Sequence, residues 1–436
     1  MKRFPILLFL LPVAAVSAQV APVRLTIGDA ARAAAQHNAN AEVARVRIDE
    51  ANARVRQAKS ALLPNLSGDL QQSGHTMNTA TFGLPLPNFN PNGEILGPIN
   101  VFDARGHVAQ NIYDASANAR TRAAKSGSVA ATAEATSAGE TAATGAAMAY
   151  VRAQRAEAQL RSRVADSTLS ADLLGIAHDM LEAGVGIALD VTRAQSQLAA
   201  ARAQLISARN ETARARLELL RATGLPLDTP VELADSLSPS PNDQPPTVEA
   251  AVDVALKQRP DIHSLEEQLA ASRQQVSAIR AERLPSLGVV ADEGLIGTKY
   301  QHLLPTYTWG LQVSIPVFDG YRREGRVSEQ SAVSREIEVR ERDLRTQVQV
   351  DVRTALLDLS SAREQVSAAR ERVSLGEQEV TQARDRFSAG VAGNADVISA
   401  SLTLSAARTS LVEAETAYQS AKVALARAQG SLTSLK

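Results

Sequence analysis

The chain has 436 residues, room for two or three ordinary domains, and its net charge of −1 sets up no field that would draw nucleic acid. It holds no cysteine, which excludes disulfides, thiolate metal sites and a lipid-modified N-terminal cysteine. Aromatic residues make up only 3% and alanine is abundant, a composition suited to long helices that approach closely through small side chains.

Taken in chain order, Lys2 and Arg3, the apolar run 4–16 and the small-x-small site Val16-Ser17-Ala18 predict a secretory signal peptide over residues 1–18. The apolar run is too short to span a bilayer as a helix, and no later stretch reaches the roughly 18 apolar residues that would. The mature protein, from Gln19, is expected to be exported, with any membrane span built from strands. A helix is expected before Pro64, then a strand alternating through Leu66, Gly68 and Leu70. Residues 76–100, rich in Pro, Asn and Gly, read as an exposed loop. A second strand alternates Ala104, Gly106, Val108 and Ile112 with Asp103, Arg105, His107 and Asn111.

No proline lies between Pro98 and Pro226, so this stretch is free to be helical. It carries small and apolar residues at alternate spacings of three and four: Val191, Ala194, Leu198, Ala201, Leu205, Ala208, Thr212, Ala215, Leu219 and Ala222. That is the coiled-coil period. Glycines in 182–186 break it, predicting a helical hairpin with arms of about 60 residues, or about 90 Å. A Pro- and Ser-rich linker, 225–246, follows.

The second half repeats this order. After Pro285 come Leu287, Val289 and Ala291, then the clearest strand, Trp309, Leu311, Val313, Ile315 and Val317 alternating with Thr308, Gly310, Gln312, Ser314 and Pro316. Beyond Pro316 no proline remains, and two heptad runs, Val352 to Phe387 and Val397 to Ala428, flank a break at 388–393. Most of the aromatics that follow the signal gather in the two strand windows, among them Phe82, Phe89, Phe102, Tyr113, Tyr300, Tyr307, Trp309, Phe318 and Tyr321. Ten-residue alternating strands with aromatics near their ends mark a membrane β-barrel; on the strands alone, a soluble hairpin capping a coiled coil is an equal alternative.

Residues 26–66 align with 247–287 at an offset of 221, and Tyr113-Asp114 with Phe318-Asp319 at 205. The drop of 16 places extra residues in the first strand pair. Two repeats, 19–224 and 247–436, thus flank the linker, with four strands per chain. Four strands cannot close a barrel, and lipid tolerates no open sheet edge, so a membrane-spanning chain must oligomerise.

Several motifs resemble the TolC-like outer membrane efflux protein family: Arg259-Pro260-Asp261-Ile262, then Leu284-Pro285-Ser286-Leu287, the turn Val317-Phe318-Asp319-Gly320, and the hairpin tips Ala183-Gly184-Val185 with Asp190-Val191 and Ala389-Gly390-Val391 with Asp396-Val397. The resemblance covers nearly all of the mature chain. It implies a mainly α fold in which long helical hairpins form a trimeric α-barrel, with four strands per chain contributed to a 12-stranded β-barrel in the outer membrane. It further implies a homotrimer, a periplasmic adaptor docked at the tips, an inner-membrane pump acting through that adaptor, and no cofactor. Two departures stand out: His37-Asn38-Ala39-Asn40 where the family often shows Asn-Pro, and no basic residue within the second turn, 388–393.

The expected adaptor contacts are Gly184, Val185, Gly186, Gly390, Val391 and Gly393. Asp190 and Asp396 read either as helix-terminus charges or, given the acidic constriction the resemblance implies, as tunnel-mouth carboxylates. Tyr113, Tyr307, Trp309 and Phe318 are the expected membrane-girdle aromatics. The six histidines, His37, His75, His107, His178, His263 and His302, have no ligand spacing and read as solvated surface residues. Gly184-x-Gly186 lacks the third glycine of a dinucleotide loop. The expected function is a passive exit duct, with a periplasmic coiled-coil adaptor or scaffold as the competing reading; the exported cargo is beyond the sequence.

Overall fold

The computed structural model describes residues 22–82, 90, 93–239 and 245–434; the expected signal peptide and Phe89 lie outside them. Strand β1 (Val23–Leu25) leads into helices α1 (Ile27–His37) and α2 (Ala39–Ser60), strands β2 (Asn65–Asn78) and β3 (Ile95–Tyr113), and helices α3 (Ala115–Glu182) and α4 (Ala188–Thr223). After strand β4 (Val231–Leu233), the same order returns as α5 (Val248–Gln258), α6 (Pro260–Ala281), β5 (Ser286–Gly297), β6 (Leu304–Ser314), α7 (Arg322–Ser388) and α8 (Asn394–Gln429).

Where the sequence leads one to expect a single helix before each strand pair, two form. In the second half Pro260 starts α6, and the residue before a proline is pushed out of the helical region; Arg259 is extended at φ −66°, ψ 121°. In the first half Asn38 makes the same break without proline, at φ −70°, ψ 137°. Its Oδ1 accepts from the Asn40 amide at 2.9 Å and its Nδ2 donates to the Ala222 carbonyl at 3.1 Å. Side-chain hydrogen bonds replace a steric block.

The outgoing helices α3 and α7 have 68 and 67 residues, about 100 Å each. The returning helices are shorter than expected, 36 residues each. Gly224 and Gly430 end them in the left-handed region, at φ 76° and 67°. Each end abuts a helix break: a Cβ on Gly224 would fall 2.5 Å from the His37 carbonyl oxygen, and one on Gly430 3.0 Å from Arg259 Cα. Beyond those points α2 and α6 replace α4 and α8 beside the long helices. The two breaks therefore decide how far each hairpin extends.

The predicted heptads form the core. Val191, Ala194, Leu198, Ala201, Ala208, Ala215 and Leu219 are buried on α4, as are Val397, Ala400, Leu404, Ala407 and Tyr418 on α8. Helix α3 packs against α1, α2, α4, α6 and α8, whereas α7 packs against α5, α6 and α8. Five neighbours leave little room, and α3 buries mainly alanine, including Ala143, Ala146, Ala147, Ala149 and Ala153. Helix α7 buries larger groups, Val348, Val352, Leu356, Leu359 and Val366, and full burial of such a side chain contributes about 1.5–3 kcal/mol.

The linker is fastened to the middle of α3. β1 and β4 pair in parallel, and the buried Tyr150 hydroxyl donates to the Leu25 carbonyl at 2.9 Å while accepting from the Asp235 amide at 3.1 Å. Burial raises the Tyr150 phenol well above its ordinary range.

The remaining strands form one antiparallel sheet in the order β2-β3-β5-β6. Its first hairpin corrects the expected 76–100 loop: β2 and β3 keep pairing through Met77–Leu96 and Asn78–Ile95. The extra residues lengthen strands as well as the connection, because alternating polar and apolar residues can still ladder there. Leu66, Leu70, Ala104, Val108, Leu287, Val289, Ala291, Trp309, Leu311 and Val313 share one face; Ser67, Asp69, Asp103, Arg105, His107, Asp292, Thr306, Thr308 and Gln312 share the other.

Candidate functional site

Two regions hold the residues singled out by sequence: the hairpin tips and the strand sheet. At the first tip Gly184 sits at φ 73°, and the amides of Val185 and Gly186 both donate to the Met180 carbonyl, at 3.0 and 2.8 Å. At the second tip Gly390 sits at φ 71° and the Val391 amide donates to the Arg386 carbonyl at 3.0 Å. A Cβ on Gly184 or Gly390 would meet nothing within 4 Å, so these glycines serve backbone conformation. Gly186 serves close approach instead, since its Cβ would lie 2.9 Å from the Leu181 nitrogen. Gly393 has ordinary φ and open space, so neither demand applies. Val185 and Val391 are exposed on the turns.

Asp190 and Asp396 both occupy the third position of their helices, where a carboxylate complements the helix dipole. Neither N-cap, Ile187 nor Gly393, supplies a side-chain hydrogen bond. Asp190 is largely covered and lies 3.9 Å from Arg193; Asp396 is exposed and forms no ion pair among the described residues. What joins the tips is a residue the sequence reading passed over. Asn394, fully buried, donates from Nδ2 to the Asp190 carbonyl at 2.9 Å, while its Oδ1 has no partner among the described residues. Below it Leu173, Ala177, Val191, Phe387 and Val397 form a shared apolar plug.

Higher up, Asp166 of α3 ties the two hairpins together. It accepts from Ser405 Oγ at 2.7 Å, Arg408 at 3.2 Å and Arg163 at 3.2 Å. Arg202, which occupies the matching place on α4 in the first repeat, is exposed instead.

Near the sheet, the turns into the long helices differ. Asp114 caps α3 directly, accepting from the amides of Ser116 and Ala117 at 2.8 and 3.0 Å. Burial works to raise its carboxyl, but these amides and the Ser116 hydroxyl hold it below the usual carboxylate range. Asp319 instead accepts from Arg323 Nε at 2.7 Å, and Tyr321, at φ 65°, caps α7 in the left-handed region. The Arg-Pro-Asp motif is a staple: Arg259 donates to both Asp261 oxygens, at 3.0 and 2.6 Å, and to Asp351 of α7 at 3.0 Å. Burial opposes charge on both Arg259 and Asp261, yet their pairing keeps the guanidinium pKa raised and the carboxyl pKa lowered.

The aromatics expected at a membrane girdle, Tyr113, Tyr307, Trp309 and Phe318, are all exposed, Tyr307 at 79% and Trp309 at 73%. Phe318 packs edge-on to Tyr321 at 5.6 Å. Among the histidines, His107 departs from the solvated reading: its Nε2 lies 3.0 Å from Asp69 and its Nδ1 pairs with Asp292. Its spacing to those carboxylates, across two strand pairings, exists only in the folded register.

With this geometry in place, known proteins give a consistent picture. A family model described as outer membrane efflux protein matches residues 30–225 and 251–431. A Pseudomonas putida protein described as the probable efflux pump outer membrane protein TtgC is 26% identical over 260 residues, 57% of this chain and 52% of the relative. The match thus spans about half the length of that relative. Among solved structures, the Campylobacter jejuni CmeC outer membrane channel has a TM-score of 0.76 at 19% identity, covering 93% of this chain and 85% of that one. The Vibrio cholerae outer membrane protein VceC has a TM-score of 0.74 at 20% identity, covering 93% and 96%. These likenesses carry the fold.

Proposed function

Because the chain belongs to the outer membrane efflux protein family, we propose that it is the outer-membrane exit channel of a tripartite efflux or secretion system, a passive conduit and not an enzyme. The observation that carries this reading is a four-stranded sheet with one apolar and one polar face whose outer strands, β2 and β6, have free edges. Lipid does not accept such edges. At the seam between the halves, β3 pairs with β5; the same relation between β6 of one copy and β2 of the next removes both edges. Three copies then close a 12-stranded barrel, apolar face to outer-membrane lipid and polar face to the lumen. The helices support the same closure. α6 packs between α3 and α7, while α2 packs chiefly against α3 and leaves Val43 and Val46 exposed; α7 of a neighbour fits there.

In this homotrimer Tyr113 and Phe318 mark one membrane interface, and Tyr307 and Trp309 the other. The helices extend into the periplasm, where Gly184, Val185, Gly186, Gly390, Val391 and Gly393 meet a periplasmic adaptor linked to an inner-membrane pump. Asp190 and Asp396 become six carboxylates at the tunnel mouth, with Asp396 the stronger because Arg193 offsets Asp190. Residues 1–18 are a signal peptide, and 225–246 joins repeats 19–224 and 247–436.

The deciding measurement is mass in detergent: a trimer is expected, and a stable folded monomer sinks the barrel. Replacing Gly184 and Gly390 with bulky residues should abolish export from cells while the trimer still inserts. In planar bilayers, Asp396→Asn should reduce cation preference more than Asp190→Asn; an unchanged preference reduces Asp396 to a helix-terminus charge.

A further inference from the structure

We propose that the polar face of the strand sheet carries a second, proton-tuned cation filter centred on His107, separate from the carboxylates at the hairpin tips. The proposal rests on the reading of that face as the channel lumen.

His107 lies on β3, the strand that joins the two halves, and it is held from both sides. Asp69 on β2 approaches its Nε2 at 3.0 Å and Asp292 on β5 pairs with its Nδ1. One step along β3, the Arg105 guanidinium pairs with Asp103 at 2.6 Å. The fourth strand presents no charge to this face, where Leu304, Thr306, Thr308, Gly310, Gln312 and Ser314 lie. Glu293 belongs to the opposite, apolar face, opposite Gly106 and Tyr307. The one other ionisable group on the polar face among the described strand residues is His75, nearer the far end of β2.

Charge on this belt is therefore set by one residue. Three carboxylates against one guanidinium leave each chain at −2 while His107 is neutral, and at −1 once it is protonated. Three copies around a lumen turn this into −6 and −3. Histidine is the side chain type whose ordinary charge change falls between about pH 5 and 8, whereas carboxylates as a class change charge in more acidic solution. Fixed rings of charge inside a pore select among permeating ions, and lumen-facing substitutions in a barrel tune that selection. The ligand class is thus the permeating inorganic cation, favoured over anionic solutes at neutral to alkaline pH and less so in acid.

The experiment measures reversal potential across planar bilayers containing the full chain, in a potassium chloride gradient, at pH 5 and pH 8. For the unmodified protein, the cation-to-anion permeability ratio should rise by roughly two- to five-fold from pH 5 to pH 8, as expected for one unit charge per chain in a solvated pore. His107→Gln should hold the high ratio at both pH values, and His107→Lys the low one. Should either variant fail to assemble, the other still decides, and Asp292→Asn should lower the ratio at pH 8. Pores whose ratio ignores pH overturn the filter while leaving the channel reading intact. A swing that persists in both His107 variants, or one that vanishes with His75→Gln instead, also overturns it. Absence of any pore from the unmodified protein removes the channel reading and the filter with it.

Discussion

The hairpin α3–α4 and the hairpin α7–α8 share lengths, heptad spacing and turn sequence, yet they occupy different surroundings. Helix α3 has neighbours from both halves along its length, while α7 packs almost wholly within its own half and joins first-half residues through Phe387 in the plug at the tip. The consequence is written in side-chain volume: alanine predominates in the buried strip of the crowded helix, with Tyr150 and Val151 as large exceptions, whereas valine and leucine alternate with alanine in the roomier one. A coiled-coil period therefore specifies which face is buried, and the number of neighbours specifies how large the buried residue can be.

The largest expected effect tests that volume rule. Ala147→Leu, in the fully buried strip of α3, should destabilise by about 1–3 kcal/mol through overpacking, read as a lower thermal midpoint of the detergent-solubilised protein. Val350→Leu on the exposed face of α7 should stay within about 0.5 kcal/mol. Equal effects would break the comparison.

Next come the tips, where the hairpins should behave alike. Gly184→Ala and Gly390→Ala each force a side chain into left-handed backbone, at a cost of about 1–2 kcal/mol. Gly393→Ala, with ordinary φ and open space, gains about 0.4–1 kcal/mol from a less flexible unfolded chain but loses a similar amount at the N-cap of α8, where glycine is preferred to alanine, and should be near neutral. Chemical denaturation separates these outcomes.

The turns into the helices should behave differently. Asp114→Ala removes a direct cap and should cost about 1 kcal/mol at neutral pH. The folded-state pKa of Asp114 is lowered, so its contribution is present above the ordinary carboxylate pKa of about 3.9 and is lost as pH falls through the lower folded value. The gap between variant and parent should therefore shrink in acid; a gap constant with pH would show that the carboxylate charge is not what caps α3.

A small net stability effect is expected at Asn394→Ala. It deletes one cross-hairpin hydrogen bond but also removes an unpartnered buried oxygen, leaving a net change within about 1 kcal/mol. Its sharper readout is the tie between the tips: single-channel conductance should rise in the variant, and unchanged conductance would mean the bond does not restrain the mouth.

The sequence by itself determined the helical heptads, the strand alternation, the glycine turns and the order of the strand pairs and long helices. Each of these rests on local physics: periodicity, the missing proline, the left-handed freedom of Gly184 and Gly390. It did not show that Asn38 would break the first helix as Pro260 breaks the second, because that break depends on an acceptor, the Ala222 carbonyl, far along the chain. Nor did it show where α4 and α8 would stop relative to α3 and α7, which follows from the contacts of Gly224 with His37 and of Gly430 with Arg259. Only tertiary structure joined Asp166 to Arg408, Asn394 to Asp190, and His107 to Asp69 and Asp292. The physical reason is range. A residue's preference for helix, strand or turn is set by its neighbours in sequence, but the partner of a buried polar group is set by which segments the packed helices and the strand register bring within about 3 Å of it.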